Sequence, residues 1–249
     1  MKLGHRIVAI SLGPVAWTCS WASDADDDAQ RLSNASQVLA KVATAPNGGI
    51  PMELLARAKC IIVIPNLVKA GFVIGGKYGR GVATCRTGSG AEGSGNARAR
   101  QAVGAQWSAP AFVTLGGGSV GLQIGAEGMD LVMLVMNDQG LQQLLSSKLE
   151  VSVEGSVAAG SAAKDSSVAA TSNINTQILI YSLSKGIFAG QTLEGAMLEQ
   201  DAAATKAAYG SNVPFEAILA GRVPAPSFAA PFLQSVSSLS HQAGTEQAR

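Results

Sequence analysis

Residues 58–86 read AKCIIVIPNLVKAGFVIGGKYGRGVATCR, and the alternation within this run decides the fold. Cys60 to Ile64 is short, apolar and rich in β-branched residues, the pattern of a strand buried on both faces, with Pro65-Asn66 ending it. Gly71–Tyr78 and Gly81–Arg86 flank Gly79-Arg80, which reads as a two-residue hairpin turn with glycine first. In that register Lys77 opposes Val82 and shares a face with Thr84 and Arg86, while Phe72, Ile74, Tyr78, Ala83 and Cys85 take the other face. The ribbon is therefore expected to gather its cations on one side.

Charge gives this run a second meaning. Between Arg57 and Arg100 the chain carries eight basic residues, Arg57, Lys59, Lys69, Lys77, Arg80, Arg86, Arg98 and Arg100, against the single acid Glu92. The whole protein is formally only +1, so the block is a local asymmetry that points to an anionic partner. Arginine suits bidentate phosphate contacts and lysine acts as a point charge. An ordinary solvated edge, kept from pairing with other sheets by its charges, is the competing reading.

Upstream, residues 1–22 read as an export signal. Lys2, His5 and Arg6 precede an apolar stretch from Ile7 to Trp17, and Ser20-Trp21-Ala22 ends it as small-x-small. Cleavage after Ala22 removes two cations and no acid, leaving a chain of formal charge −1. Cys19 keeps a lipid-anchored alternative open. Export disfavours nucleic acid as the anionic partner and leaves a phospholipid or membrane surface as the favoured one, with any protein partner unspecified. Cys60 and Cys85 remain after processing, and in an oxidising compartment two readings stay open, a disulfide or two buried thiols.

Residues 23–30, SDADDDAQ, form an acidic leader, either mobile or fraying into a helix whose N-terminus the Asp side chains favour. Leu32, Ala35, Leu39 and Val42 then recur at helical spacing, predicting an amphipathic helix over 31–43. Pro51 opens a short helix, MELLARA. Downstream of the basic run, AFVTLGG, GSVGLQIGAEG and MDLVMLVMN read as strands. Helices are expected over 138–148, 201–209 and 214–220, capped respectively by Asn137 or Asp138, by Asp201, and opened by Pro214. Residues 177–182 and 186–198 read as further strands, and the last 25 residues hold one more helix. The class is α+β: a mostly antiparallel, glycine-rich sheet, curled or barrel-like, with helices at the N- and C-terminal ends. One domain is expected over residues 31–240, with 241–249 a flexible tail.

Catalytic chemistry finds little support. His5 and His241 are the two histidines, so no Ser/His/acid or Cys/His arrangement falls in the body of the chain. Two cysteines without histidine partners do not make a zinc set, and no cofactor is expected. Gly116, Gly118 and Gly121 satisfy G-x-G-x-x-G, but Leu122-Gln123-Ile124-Gly125 continues as a strand rather than opening a helix.

Three stretches resemble the SYLF domain, a lipid-binding family of bacterial exported proteins and of eukaryotic endocytic and actin-cortex proteins. They are Ala58–Gly81, with K-A-G-F followed by G-G-x-x-G-x-G; Trp107-Ser108-Ala109-Pro110 with glycines 116, 118, 121 and 125 leading to Asp130; and Tyr181–Gly190 with Leu193, Gly195 and Tyr209-Gly210. The resemblance runs from about Arg31 to about Phe232. It implies non-enzymatic binding of phosphoinositide-like or other anionic lipids. Carried over residue by residue, it singles out Lys69, Lys77 and Arg80 for the head group, with Arg57, Lys59 and Arg86 as supporting charges. A structural or partner-binding envelope protein, or a carrier of a hydrophobic ligand inside a barrel, are the alternatives.

Overall fold

A computed structural model describes residues 22–45, 49–71, 74–87, 107–120, 125–146, 148–151, 168–171, 178–185 and 195–247. Eight antiparallel strands form one sheet: β1 (Cys60–Gly71), β2 (Ile74–Cys85), β3 (Ala111–Val120), β4 (Gly125–Val135), β5 (Lys148–Val151), β6 (Val168–Thr171), β7 (Ile178–Lys185) and β8 (Ala196–Gln200). Their order is β5-β8-β3-β2-β1-β4-β7-β6. Among the described residues the two edge strands, β5 and β6, are not paired with each other, so the sheet is open. The helices are α1 (Ala22–Ala43), α2 (Met52–Arg57), α3 (Asp138–Leu145), α4 (Ala202–Tyr209), α5 (Phe215–Leu219) and α6 (Ala230–Gln247). The class is α+β, as the sequence predicts.

Alternation along the central strands feeds two separate cores. Ile61, Val63, Val82, Phe112, Val132 and Leu134 face α1, α2 and α6. Their neighbours Ile62, Ile64, Ala83, Val113, Leu131 and Met133 face α3 and α5. A strand buried on both faces must be apolar at every position, which is why Cys60–Ile64 shows no polar residue. The stripe Leu32, Ala35, Leu39 and Val42 is at most 1% exposed. It docks α1 on the sheet and α6 and is not available to enter a bilayer.

Caps follow the local chemistry. The Asn137 side chain accepts from Gly140 N and the Asp201 side chain from Ala204 N, each satisfying a helix-end donor. Pro51 and Pro214 precede α2 and α5.

Three expectations are corrected. Gly79-Arg80 is not a turn: β2 runs unbroken from Ile74 to Cys85, and the reversal falls between Gly71 and Ile74. The glycines are there for close approach. A Cβ on Gly79 would stand 2.7 Å from Ile64 Cγ2, and one on Gly81 2.3 Å from Val63 O. Pro65-Asn66 does not end β1 either, but forms a bulge at which the pairing to both β2 and β4 shifts. Asn66 takes φ 52° there; its N–H donates to Asp130 Oδ1 at 3.0 Å. Of the two readings of the acidic leader, mobile or fraying into a helix, residues 23–30 take the second and are continuous with α1, while α6 runs to Gln247. Finally, α3 ends at Leu145 and Lys148 opens β5, while of 186–198 only Ala196–Leu198 lies in a described strand, the stretch 186–194 lying outside the described residues.

Candidate functional site

Because β2 is one strand, its face assignment reverses from the hairpin expectation. Lys77 shares a face with Gly79, Gly81, Ala83 and Cys85, and Tyr78 and Arg80 project from the other with Val82. The six basic residues consequently part company. Lys69 and Lys77 stand opposite each other across β1 and β2 and are 4% and 6% exposed. Lys77 Cε lies 3.1 Å from where a Cβ on Gly117 would stand, so the missing side chain makes room for it.

Arg80 emerges on the opposite face, 44% exposed, with Nε and Nη2 both 3.4 Å from Asp201 Oδ2. Lys59 pairs with Asp138 near the far end of the sheet, and Arg57 is exposed at the end of α2. Arg86 serves the fold. Its guanidinium donates to the carbonyls of Ala58 and Ala56 at 2.9 Å each, satisfying the end of α2, and lies 4.6 Å over the Trp107 ring. Burial lowers its pKa from the ordinary arginine value. No single exposed basic face unites the six.

What the structure assembles instead is a groove of about 750 Å³ between the first half of α1 and the outer half of the β1–β2 ribbon. Its strand wall carries Val68, Ala70, Tyr78 and Arg80, and its helix wall Asp27, Gln30, Arg31 and Asn34. Val68 and Tyr78 are direct cross-strand partners, 47% and 56% exposed, and are the exposed large hydrophobic side chains among the described residues. An aromatic and a β-branched side chain in register make a favourable pair, and here that pair faces outward.

Behind the groove runs a chain of charges. Arg31, 6% exposed, lies 3.4 Å from Asp28 and 3.1 Å from Asp201, with its guanidinium 5.2 Å over the Phe112 ring. Asp201 thus caps α4 and binds two arginines from different elements. Arg80 alone of the two reaches into solvent. The sequence marked Arg80 but missed Val68, Tyr78, Asp27, Arg31 and Asp201 as members of one site. Alternation resumed after a bulge at Pro65-Asn66 is the signal that puts Val68 and Ala70 on one face.

Cys60 and Cys85 are paired in register on β1 and β2 and joined by a disulfide with an S–S distance of 2.00 Å. Gly116 and Gly118 lie within β3, and among the described residues no helix begins beside them, whereas Gly121 is outside the described residues. Among the described residues no cluster of His, Cys, Asp and Glu could hold a metal ion, and no helix is long and apolar enough to cross a membrane.

A family model described as "Ysc84: Las17-binding protein actin regulator" matches residues 116–239, from β3 into α6. The chain belongs to the Ysc84 (SYLF) family. It is 30% identical over 192 residues to Protein YSC84 of Saccharomyces cerevisiae, covering 76% of this chain and 38% of that one. LAS seventeen-binding protein 3 of the same yeast is 30% identical over 193 residues, covering 76% and 38%. SH3 domain-containing YSC84-like protein 1 of Homo sapiens is 25% identical over 205 residues, covering 82% and 55%. The chain thus spans between 38% and 55% of the length of these SYLF relatives. No solved structure matches it.

Proposed function

We propose that this SYLF domain is a non-enzymatic module that binds phospholipid head groups at a membrane surface of the cell envelope, with the phosphate on Arg80 and the apolar part of the lipid against Val68 and Tyr78. The observation that carries this reading is the meeting, in one groove, of a half-exposed guanidinium with an outward-facing apolar pair. Arginine can offer a phosphate two parallel N–H donors, and Asp201, which holds Arg80 at 3.4 Å, leaves it open to solvent. Export to the envelope belongs to the same reading and rests on the basic and apolar residues of 1–22.

Flotation with phosphatidylglycerol vesicles tests it. Wild-type protein should float with the vesicles at low salt and less so as salt screens the charge. Arg80→Gln and the pair Val68→Ser with Tyr78→Ser should each reduce the floated fraction. Undiminished flotation of both variants would remove the groove from the account.

Protein binding through the same surface is the second reading. The observation favouring it is that one yeast relative is named LAS seventeen-binding protein 3 and that the family model is described as a Las17-binding protein. A pull-down that retains a protein partner after lipid extraction, and loses it in the Val68→Ser, Tyr78→Ser variant, would support it over the lipid.

A further inference from the structure

The groove holds charge of both signs, and their order along it is fixed by the fold. Val42, near the end of α1, accepts from Ile50 N at 3.3 Å just ahead of α2, and Arg86, next after β2, donates to the carbonyls at the end of α2. Helix α1 and strand β2 therefore both lead from the groove towards α2. Their levels are tied where Arg31 and Arg80 meet on Asp201.

Stepping outward from that level, Asp27 lies one helical turn before Arg31, about 6 Å along the axis. Tyr78 lies two strand residues before Arg80 on the same face, about 7 Å along β2. A carboxylate and an aromatic ring thus line the same groove, each one step outward along its own element from the arginine that meets Asp201. Asp27 is exposed, lines the groove and has no ion-pair partner among the described residues.

We infer that the groove selects a phosphate bearing a primary ammonium on a two-carbon bridge, the aminoethyl phosphate chemistry, with the phosphate on Arg80 and the ammonium between Asp27 and the Tyr78 ring. This rests on the phosphate reading above and narrows it. A cation over an aromatic face is attracted by the ring quadrupole, and an ammonium has three N–H donors to offer a carboxylate and the amide oxygens of Gln30 and Asn34. A head group ending in hydroxyls meets Asp27 without a compensating charge, so the same carboxylate that attracts the amine works against a net-anionic ligand.

NMR titration of the labelled protein with O-phosphoethanolamine and with glycerol 3-phosphate tests the inference. Phosphoethanolamine should bind about fivefold more tightly, the size of one exposed ion pair plus one cation–π contact, and should shift signals of Tyr78 and of α1 around Asp27. Asp27→Asn should reduce that preference to what the Tyr78 ring alone supplies and raise the affinity for glycerol 3-phosphate. Equal affinities in the wild type, or a preference undiminished in Asp27→Asn, would overturn the ammonium site while leaving phosphate binding standing. If neither compound moves Arg80 and phosphatidylglycerol vesicles are not bound, the phosphate reading falls and takes the ammonium site with it. Flotation with phosphatidylethanolamine against phosphatidylglycerol vesicles separates the sources: the same order of preference assigns a lipid head group, and preference in the soluble compounds alone assigns the free phosphate ester.

Discussion

Arg31 Nη1 lies 3.1 Å from Asp201 Oδ2, joining residues 170 apart in the chain. The pair staples α1 to the start of α4, and both side chains are at least nine-tenths buried. Removing one member of a buried pair strands the other charge, which costs far more than the pair contributes when intact. Asp201→Ala also deletes the cap of α4. We expect it to lower unfolding stability by about 3 kcal/mol, measured by urea denaturation. Asp201→Asn keeps an effective cap and should cost less; equal losses would show that the charge, and not the cap, carries the whole effect.

Gly81 and Gly76 sit five residues apart in β2 and should respond oppositely to a methyl group. A Cβ on Gly81 meets Val63 O at 2.3 Å and Ile64 Cα at 3.0 Å, backbone atoms that cannot swing aside. Gly81→Ala should destabilise by about 2 kcal/mol or more. At Gly76 nothing lies within 4 Å, so Gly76→Ala should change stability by no more than about 0.5 kcal/mol. Thermal melts of the two variants side by side decide it.

Tyr209 donates its hydroxyl to Pro110 O at 2.7 Å, and burial pushes its pKa well above the ordinary tyrosine value. The folded protein then keeps a proton that the unfolded chain gives up from about pH 10 upward. Its contribution is complete below that pH and is lost as pH rises towards the folded value. Tyr209→Phe should cost about 1 to 2 kcal/mol at neutral pH through the unmatched carbonyl and should flatten the alkaline fall in stability. Tyr181, whose pKa burial also raises, will leave part of the slope. An unchanged alkaline profile in Tyr209→Phe would exclude this residue as its source.

Much of the fold was legible locally. The stripe Leu32, Ala35, Leu39, Val42 and the caps Asn137 and Asp201 occupy the roles that their spacing and chemistry predict, because helix periodicity and end-capping are decided within a few residues. The reading of Gly79-Arg80 as a turn failed for a reason equally physical. A glycine between two apolar runs fits a turn or a close approach, and only the bulge in the neighbouring strand, with Ile64 and Leu67 leaning over Gly79, selects the second. Moving the reversal out to 71–74 shifts the facing by one residue, and in a strand that sends every side chain to the other side. The basic face dissolved with it: Lys69 and Lys77 went inward on one face and Arg80 emerged on the other.

By itself the chain's order of residues determined the class, an antiparallel glycine-rich sheet between terminal helices, since alternation, periodicity and capping are local properties. Only the tertiary structure decided which side chains share a site, because the groove joins α1, β1 and β2 across pairings that no local pattern encodes. One bulge at Pro65-Asn66, held by Asp130 from β4, turns Val68 to the wall that Tyr78 and Arg80 reach by alternation along β2.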